Sequence, residues 1–146
     1  MGWHIAQINV ASFRAPRQSP VNAAFEAALD VVNATAEASP GFVWRMLGEG
    51  ENVDGTLFAD PHITINMTVW QTIDHLTAFA YRNQIHRSVM RRRREWFVEL
   101  PAYLALWWIP AGALPTLNEG KAKLDLIARI GPSPAAFDFK TVFPPP

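Results

Sequence analysis

The segment His62–Trp70, HITINMTVW, alternates without a break between two kinds of side chain. Ile63, Ile65, Met67 and Val69 fall on one side; Thr64, Asn66, Thr68 and Trp70 fall on the other. A period of two belongs to a β-strand, whose successive side chains leave opposite faces. Such a strand needs an apolar layer against one face. Against the other it needs a layer that tolerates amides, hydroxyls and an indole. The rest of the chain must supply both.

Trp3–Ala11 alternates in the same way, with His4, Ala6, Ile8 and Val10 opposed to Trp3, Ile5, Gln7 and Asn9. Phe42–Leu47 is a shorter strand, and Tyr103–Ile109 is apolar on both faces. Between them the period changes. Val21–Ala38 repeats Val21, Ala24, Phe25, Ala28, Leu29 and Val32 at helical spacing and stops at Ser39-Pro40-Gly41. A second helical region opens at Thr72, an N-cap residue. Its stripe of Leu76, Phe79 and Ala80 shifts phase around Tyr81–Gln84, which predicts a kink or two abutting helices. Beyond that point His86, Val89, Met90, Arg93 and Phe97 share one helical face, with Arg87, Arg91 and Arg94 opposite. Pro101 closes the segment. A last helix starts at a Thr116–Glu119 capping box, in which the glutamate reaches back to the cap, and ends near Ile130 before Gly131 and Pro132. Ser12–Pro20 and the acidic Gly48–Pro61 read as loops. Residues 133–146 form a tail whose Phe137, Phe139 and Phe143 predict that it packs on the body.

Strand, helix, strand, strand, helix, strand and an added helix make an α+β chain of the ferredoxin-like βαββαβ type, one domain over residues 1–146. Two helices would cover one sheet face. The other face would then hold Thr64, Asn66, Thr68, Trp70, Trp3, Gln7 and Asn9. A solvated face does not normally carry several tryptophans. The expectation is a homodimer that joins these faces around a mixed polar and aromatic pocket.

The charge balance narrows the partners. Lys+Arg and Asp+Glu are 13 each, so the chain lacks the basic surplus of a general nucleic-acid binder. With no cysteine there is no thiol nucleophile and no cysteine metal site. The start, MGWHIAQINV, lacks the pattern of a secretory signal, and no window approaches a membrane span, so a cytoplasmic location is expected. Glycine-rich phosphate loops, G-x-S-x-G and paired-carboxylate motifs are absent, and GEGENVDG does not fit EF-hand spacing.

HIAQINVA near the start, SPGFVWR, HRSVMRRRREWF and LWWIPAG followed by PT together resemble the uncharacterised family called domain of unknown function 3291. That family is similar to the dimeric α+β barrel superfamily. The superfamily includes antibiotic-biosynthesis monooxygenases, haem-degrading monooxygenases and muconolactone-isomerase-like enzymes. The resemblance implies a dimeric α+β barrel with a cavity between sheet and helices. In haem-degrading relatives the site uses an asparagine on the first strand, a tryptophan, and a haem-ligating histidine on the second helix. Asn9 and His86 stand at comparable places, while no tryptophan precedes His86 on its helix.

His86 is the candidate acid or base, since imidazole titrates near neutral pH. The plain alternative is a histidine at the core edge bonded to a carbonyl. Asn9 is a candidate hydrogen-bond donor to a substrate oxygen, or simply an amide satisfied in an interface. Arg93, or Arg87 beside His86, can hold a carboxylate, phenolate or enolate through the guanidinium fork, although arginine runs are usually solvated. Trp70, Trp108, Asn66 and Tyr81 are candidate substrate contacts; tryptophans more often anchor cores. His62 and Asp60 are a further candidate pair, for an ion. The expected activity is cofactor-independent oxygenation of a planar phenolic or polyketide-like compound, with no metal and no tightly bound organic cofactor. A cofactor-free isomerase or cyclase is the alternative, as is a non-catalytic dimer binding haem or another small ligand.

Overall fold

The computed structural model describes residues 2–47, 58, 60, 62–100 and 102–146. Its strands are β1 (Trp3–Phe13), β2 (Phe42–Arg45), β3 (Ile63–Trp70), β4 (Phe97–Val98) and β5 (Leu104–Pro110). Its helices are α1 (Ala23–Glu37), α2 (Ile73–Arg82), α3 (Gln84–Arg91), α4 (Arg93–Trp96) and α5 (Leu117–Ile130). Strand β1 is central. It pairs antiparallel with β3 on one side, and with β5 and then β4 on the other, while β2 flanks β3. The order β2-β3-β1-β5 is that of a ferredoxin-like α+β sheet.

The register sorts the side chains as their alternation requires. Ala6, Ile8 and Val10 join Ile63, Ile65, Met67, Val69, Ala105, Trp107 and Ile109 in one buried cluster, closed by Leu124 of α5. Gly120 is what lets α5 lie so close. A Cβ there would stand 2.8 Å from Ile8 Cδ1 and 3.0 Å from Met67 Sδ. The opposite face clusters Ile5, Trp70 and Leu106 with Ala36 of α1, Leu76 of α2 and Phe137 of the tail.

This corrects the expectation of an uncovered polar face. The face with Gln7, Asn66, Thr68 and Trp70 is the one covered by α1, α2 and the tail within one chain. Trp70 is fully buried. The added helix α5 covers the other face, which is why β5 is apolar on both sides.

The local details are mostly those the sequence predicts. Thr72 Oγ1 accepts from His75 N at 3.1 Å, and Thr116 Oγ1 from Glu119 N at 3.1 Å. Glu119 does not reach back to its cap, however. Its Oε2 accepts from Trp107 Nε1 at 2.7 Å, because a buried indole N–H requires an acceptor. Strand β1 runs two residues past Ala11, since Ser12 and Phe13 find partners in β4. The predicted helix around His86 breaks at Arg92 (φ −95°, ψ 2°), and Phe97 is extended strand. The tail does pack: Phe137 exchanges both backbone hydrogen bonds with Leu106, at 2.8 and 2.9 Å. The acidic loop expected over Gly48–Pro61 lies largely outside the described residues, as does Pro101. Among the described residues no helix is long and apolar enough to cross a membrane.

Candidate functional site

The sheet face under α1, α2 and the tail carries a polar strip. Gln7 Nε2 donates to Asn66 Oδ1 at 2.7 Å and to Thr68 Oγ1 at 2.8 Å. Asn9 Nδ2 donates to Gln7 Oε1 at 3.0 Å and to Asn66 Oδ1 at 3.2 Å. Trp70 Nε1 donates to Thr68 Oγ1 at 2.9 Å. These five side chains are adjacent because β1 and β3 pair Gln7 with Thr68 and Asn9 with Asn66. Gln7 and Thr68 are buried, whereas Asn9 and Asn66 are only half-buried. Both amide hydrogens of Asn9 are engaged within the strip. The Asn66 amide nitrogen and Asn9 Oδ1 have no partner among the described residues.

An aromatic ladder rises from this strip. Phe42 meets Trp70 edge-on at 5.5 Å between centroids. Trp70 stacks on Phe79 at 5.2 Å, and Phe79 contacts the His86 ring at 4.9 Å. At the other end of the same face Phe13 packs with Phe25 and Phe97.

The chain break between α2 and α3 fixes His86. Asn83 leaves helical geometry (φ −72°, ψ 120°) and caps α3, its Oδ1 accepting from His86 N at 3.0 Å. The break also frees carbonyls in the last turn of α2. One of them, Ala80 O, lies 2.9 Å from His86 Nδ1. A carbonyl can only accept, so Nδ1 carries the hydrogen and Nε2 keeps its lone pair. Burial pushes the imidazole below its usual pKa, with the Ala80 carbonyl acting in the other sense. His86 is therefore a neutral imidazole at pH 7 with one basic nitrogen available.

The structure does not join the other predicted residues to this site. Arg93 opens α4 and is exposed, its charge felt at Tyr81, and Arg87 is exposed on α3. The helical face that linked Arg93 to His86 ends at the Arg92 break. Trp108 lies under the tail, its Nε1 donating to Phe143 O at 2.8 Å. Tyr81 stands 56% exposed at the end of α2 against Phe139. Asp60, offered with His62 for an ion, instead takes the Ser12 hydroxyl and the His62 backbone N–H. Those bonds, the Ser12 one first, hold its carboxyl below the usual range.

Sequence reasoning put Gln7 and Thr68 on the polar face without naming them as site residues, and it did not name Phe79 for the site. The signal for the first two was present: polar residues on the same strand faces as Asn9 and Asn66, beside a tryptophan. Phe79 was legible only as core.

The family described as Domain of unknown function (DUF3291) matches residues 4–146. No curated protein matches the chain. PA3566 from Pseudomonas aeruginosa is similar in structure at 15% identity and TM-score 0.54, over 77% of this chain and 98% of that one. NE2512, a protein of unknown function from Nitrosomonas europaea, is similar at 15% identity and TM-score 0.49, over 78% and 96%. A variant of SnoaB, a cofactor-independent oxygenase from Streptomyces nogalater, is similar at 14% identity and TM-score 0.49, over 76% and 95%. The likeness to PA3566 is one of fold. The family match leaves out only three residues at the start, and the chain belongs to the DUF3291 family.

Proposed function

We propose that the chain is a small-molecule enzyme of the antibiotic-biosynthesis-monooxygenase-like type, oxygenating a planar phenolic or polyketide-like substrate without a cofactor. The observation that carries this is His86. Its proton is held on Nδ1 by a backbone carbonyl and its pKa is lowered by burial, which leaves Nε2 as a base beside a stack of aromatic rings. Nε2 removes a phenolic proton. The phenolate passes two electrons from a ring carbon to dioxygen, a C–O bond forms, and the peroxide takes up the proton. Cleavage of the O–O bond, with loss of the C–H proton, releases water. A phenol and dioxygen thus give a quinone and water. The donor to the developing oxyanion is Asn66 rather than Asn9, because the Asn9 amide hydrogens are already used.

Oxygen uptake with a panel of hydroxylated polycyclic phenols tests this. His86→Gln is expected to lower kcat/KM about 10²–10⁴-fold with melting unchanged. No oxygen consumption across the panel, or full activity in His86→Gln, would sink it. Conversion under nitrogen would identify the isomerase or cyclase alternative, which needs the same base and donor.

The free Nε2 would also be the atom to hold a haem iron, since ligating histidines commonly donate their other N–H to a carbonyl. A Soret shift on titration with haem, abolished in His86→Ala, would establish that reading. We also propose a homodimer, with its contact away from the polar face. Trp3, which remains 37% exposed, is one apolar group left for it. Light scattering of the eluted peak tests this.

A further inference from the structure

A cleft of about 420 Å³ lies at the outer edge of β5 between the ends of α2 and α5 and the tail. That volume suits a molecule of amino-acid size. Its wall is apolar and aromatic: Leu104, Phe139 and the chain's two tyrosines, Tyr81 and Tyr103. Tyr81 and Phe139 meet edge-on at 5.1 Å, which joins α2 to the tail across the cleft. His86, Asn9 and Asn66 do not line it.

Two residues of unlike charge, Asp138 and Lys140, also line the cleft. Asp138 Oδ1 accepts from the backbone N–H groups of Lys140 and Thr141, each at 2.9 Å, so the carboxylate is fixed by its own turn. Its other oxygen has no hydrogen-bond partner among the described residues. Lys140 lines the same cleft, and its ammonium pairs with no acid among the described residues. Asp138 and Lys140 are therefore not a closed ion pair.

We propose that this cleft binds a small zwitterion, an amino acid with an apolar or aromatic side chain, its ammonium on Asp138 and its carboxylate on Lys140. A ligand with only one charge leaves the opposite group unused. A neutral apolar ligand leaves both unused and gains only the wall.

Isothermal titration of the full chain with phenylalanine, 2-phenylethylamine and 3-phenylpropionate tests the proposal, because the three share a ring and differ only in charge. Phenylalanine is expected to bind at least about tenfold tighter than either, the size of one retained charged contact. Asp138→Asn keeps an oxygen for the two backbone N–H groups, so the turn survives. It should bring phenylalanine down to the level of phenylpropionate. Lys140→Met should bring it down to the level of phenylethylamine. Equal affinity of all three ligands would show an apolar dent only. Phenylethylamine as tight as phenylalanine would show an amine site and overturn the zwitterion. No heat from any of them up to millimolar concentration would overturn the site itself.

Discussion

The two faces of one sheet differ in kind. Under α5 the side chains are almost all hydrocarbon, and the buried N–H of Trp107 meets Glu119. Under α1, α2 and the tail the same two central strands present Gln7, Asn9, Asn66 and Thr68 beside Trp70. An amide taken from water gains little even when fully hydrogen-bonded, and it costs stability when one bond is missing. The fold would be served as well by apolar residues on both faces. The lesson is that the first face holds the sheet together and the second carries a strip the fold does not need. That is the physical ground for seeking chemistry on the second.

The contrast breaks most sharply if the apolar face is cut. Ile8→Ala removes a fully buried side chain under α5 and should cost about 2–5 kcal/mol in urea unfolding, with the Asn9–Asn66 strip unchanged. Gly120→Val should cost about 1–3 kcal/mol, because its side chain would press on Ile8 and Met67. If either change were harmless, α5 would not be the cover of this face.

The polar face should respond differently. Gln7→Leu leaves Asn9 Nδ2 and Asn66 Oδ1 each short of a partner and should cost about 1–3 kcal/mol. Replacing Gln7, Asn9 and Asn66 by leucine together should cost less than the three single changes summed, since no orphaned amide is left. The triple variant should fold and turn over no phenol. Strict additivity in urea unfolding would show that the strip is not a coupled network.

The alternation of β1 and β3 was enough to read those strands and their faces, and the phase shift around Tyr81–Gln84 was enough to read the helix break at Asn83. Those are local properties of period and capping. Which face each helix covers is not local. It depended on α5, whose Gly120 seats it against Ile8 and Met67, and nothing in the period of α5 says which face it will reach. The same distinction explains the site. His86 could be placed on an inward helix face from its neighbours, but its tautomer comes from Ala80 O, a carbonyl exposed only because the chain breaks. Arg93 was misplaced for a related reason. Its link to His86 assumed one continuous helix, and the backbone turns at Arg92, where Arg92 pairs with Glu95 at 2.9 Å and lies over Trp96 at 4.8 Å.

The smallest expected effect is the pH dependence of stability through His86, and its sign follows from burial. The folded state lowers the histidine pKa, so between that value and the unfolded value of about 6.5 the unfolded chain binds more protons. Stability from this group is fully present above about pH 6.5 and is lost as the pH falls through the folded pKa. Wild type should therefore lose stability relative to His86→Gln between pH 7 and 5, measured by urea unfolding across that range. The apolar face has no matching group at Ile8, so Ile8→Ala should keep the wild-type pH slope. A flat difference between wild type and His86→Gln would mean that His86 is solvated in both states. The tautomer argument that makes Nε2 a base would then fall with it.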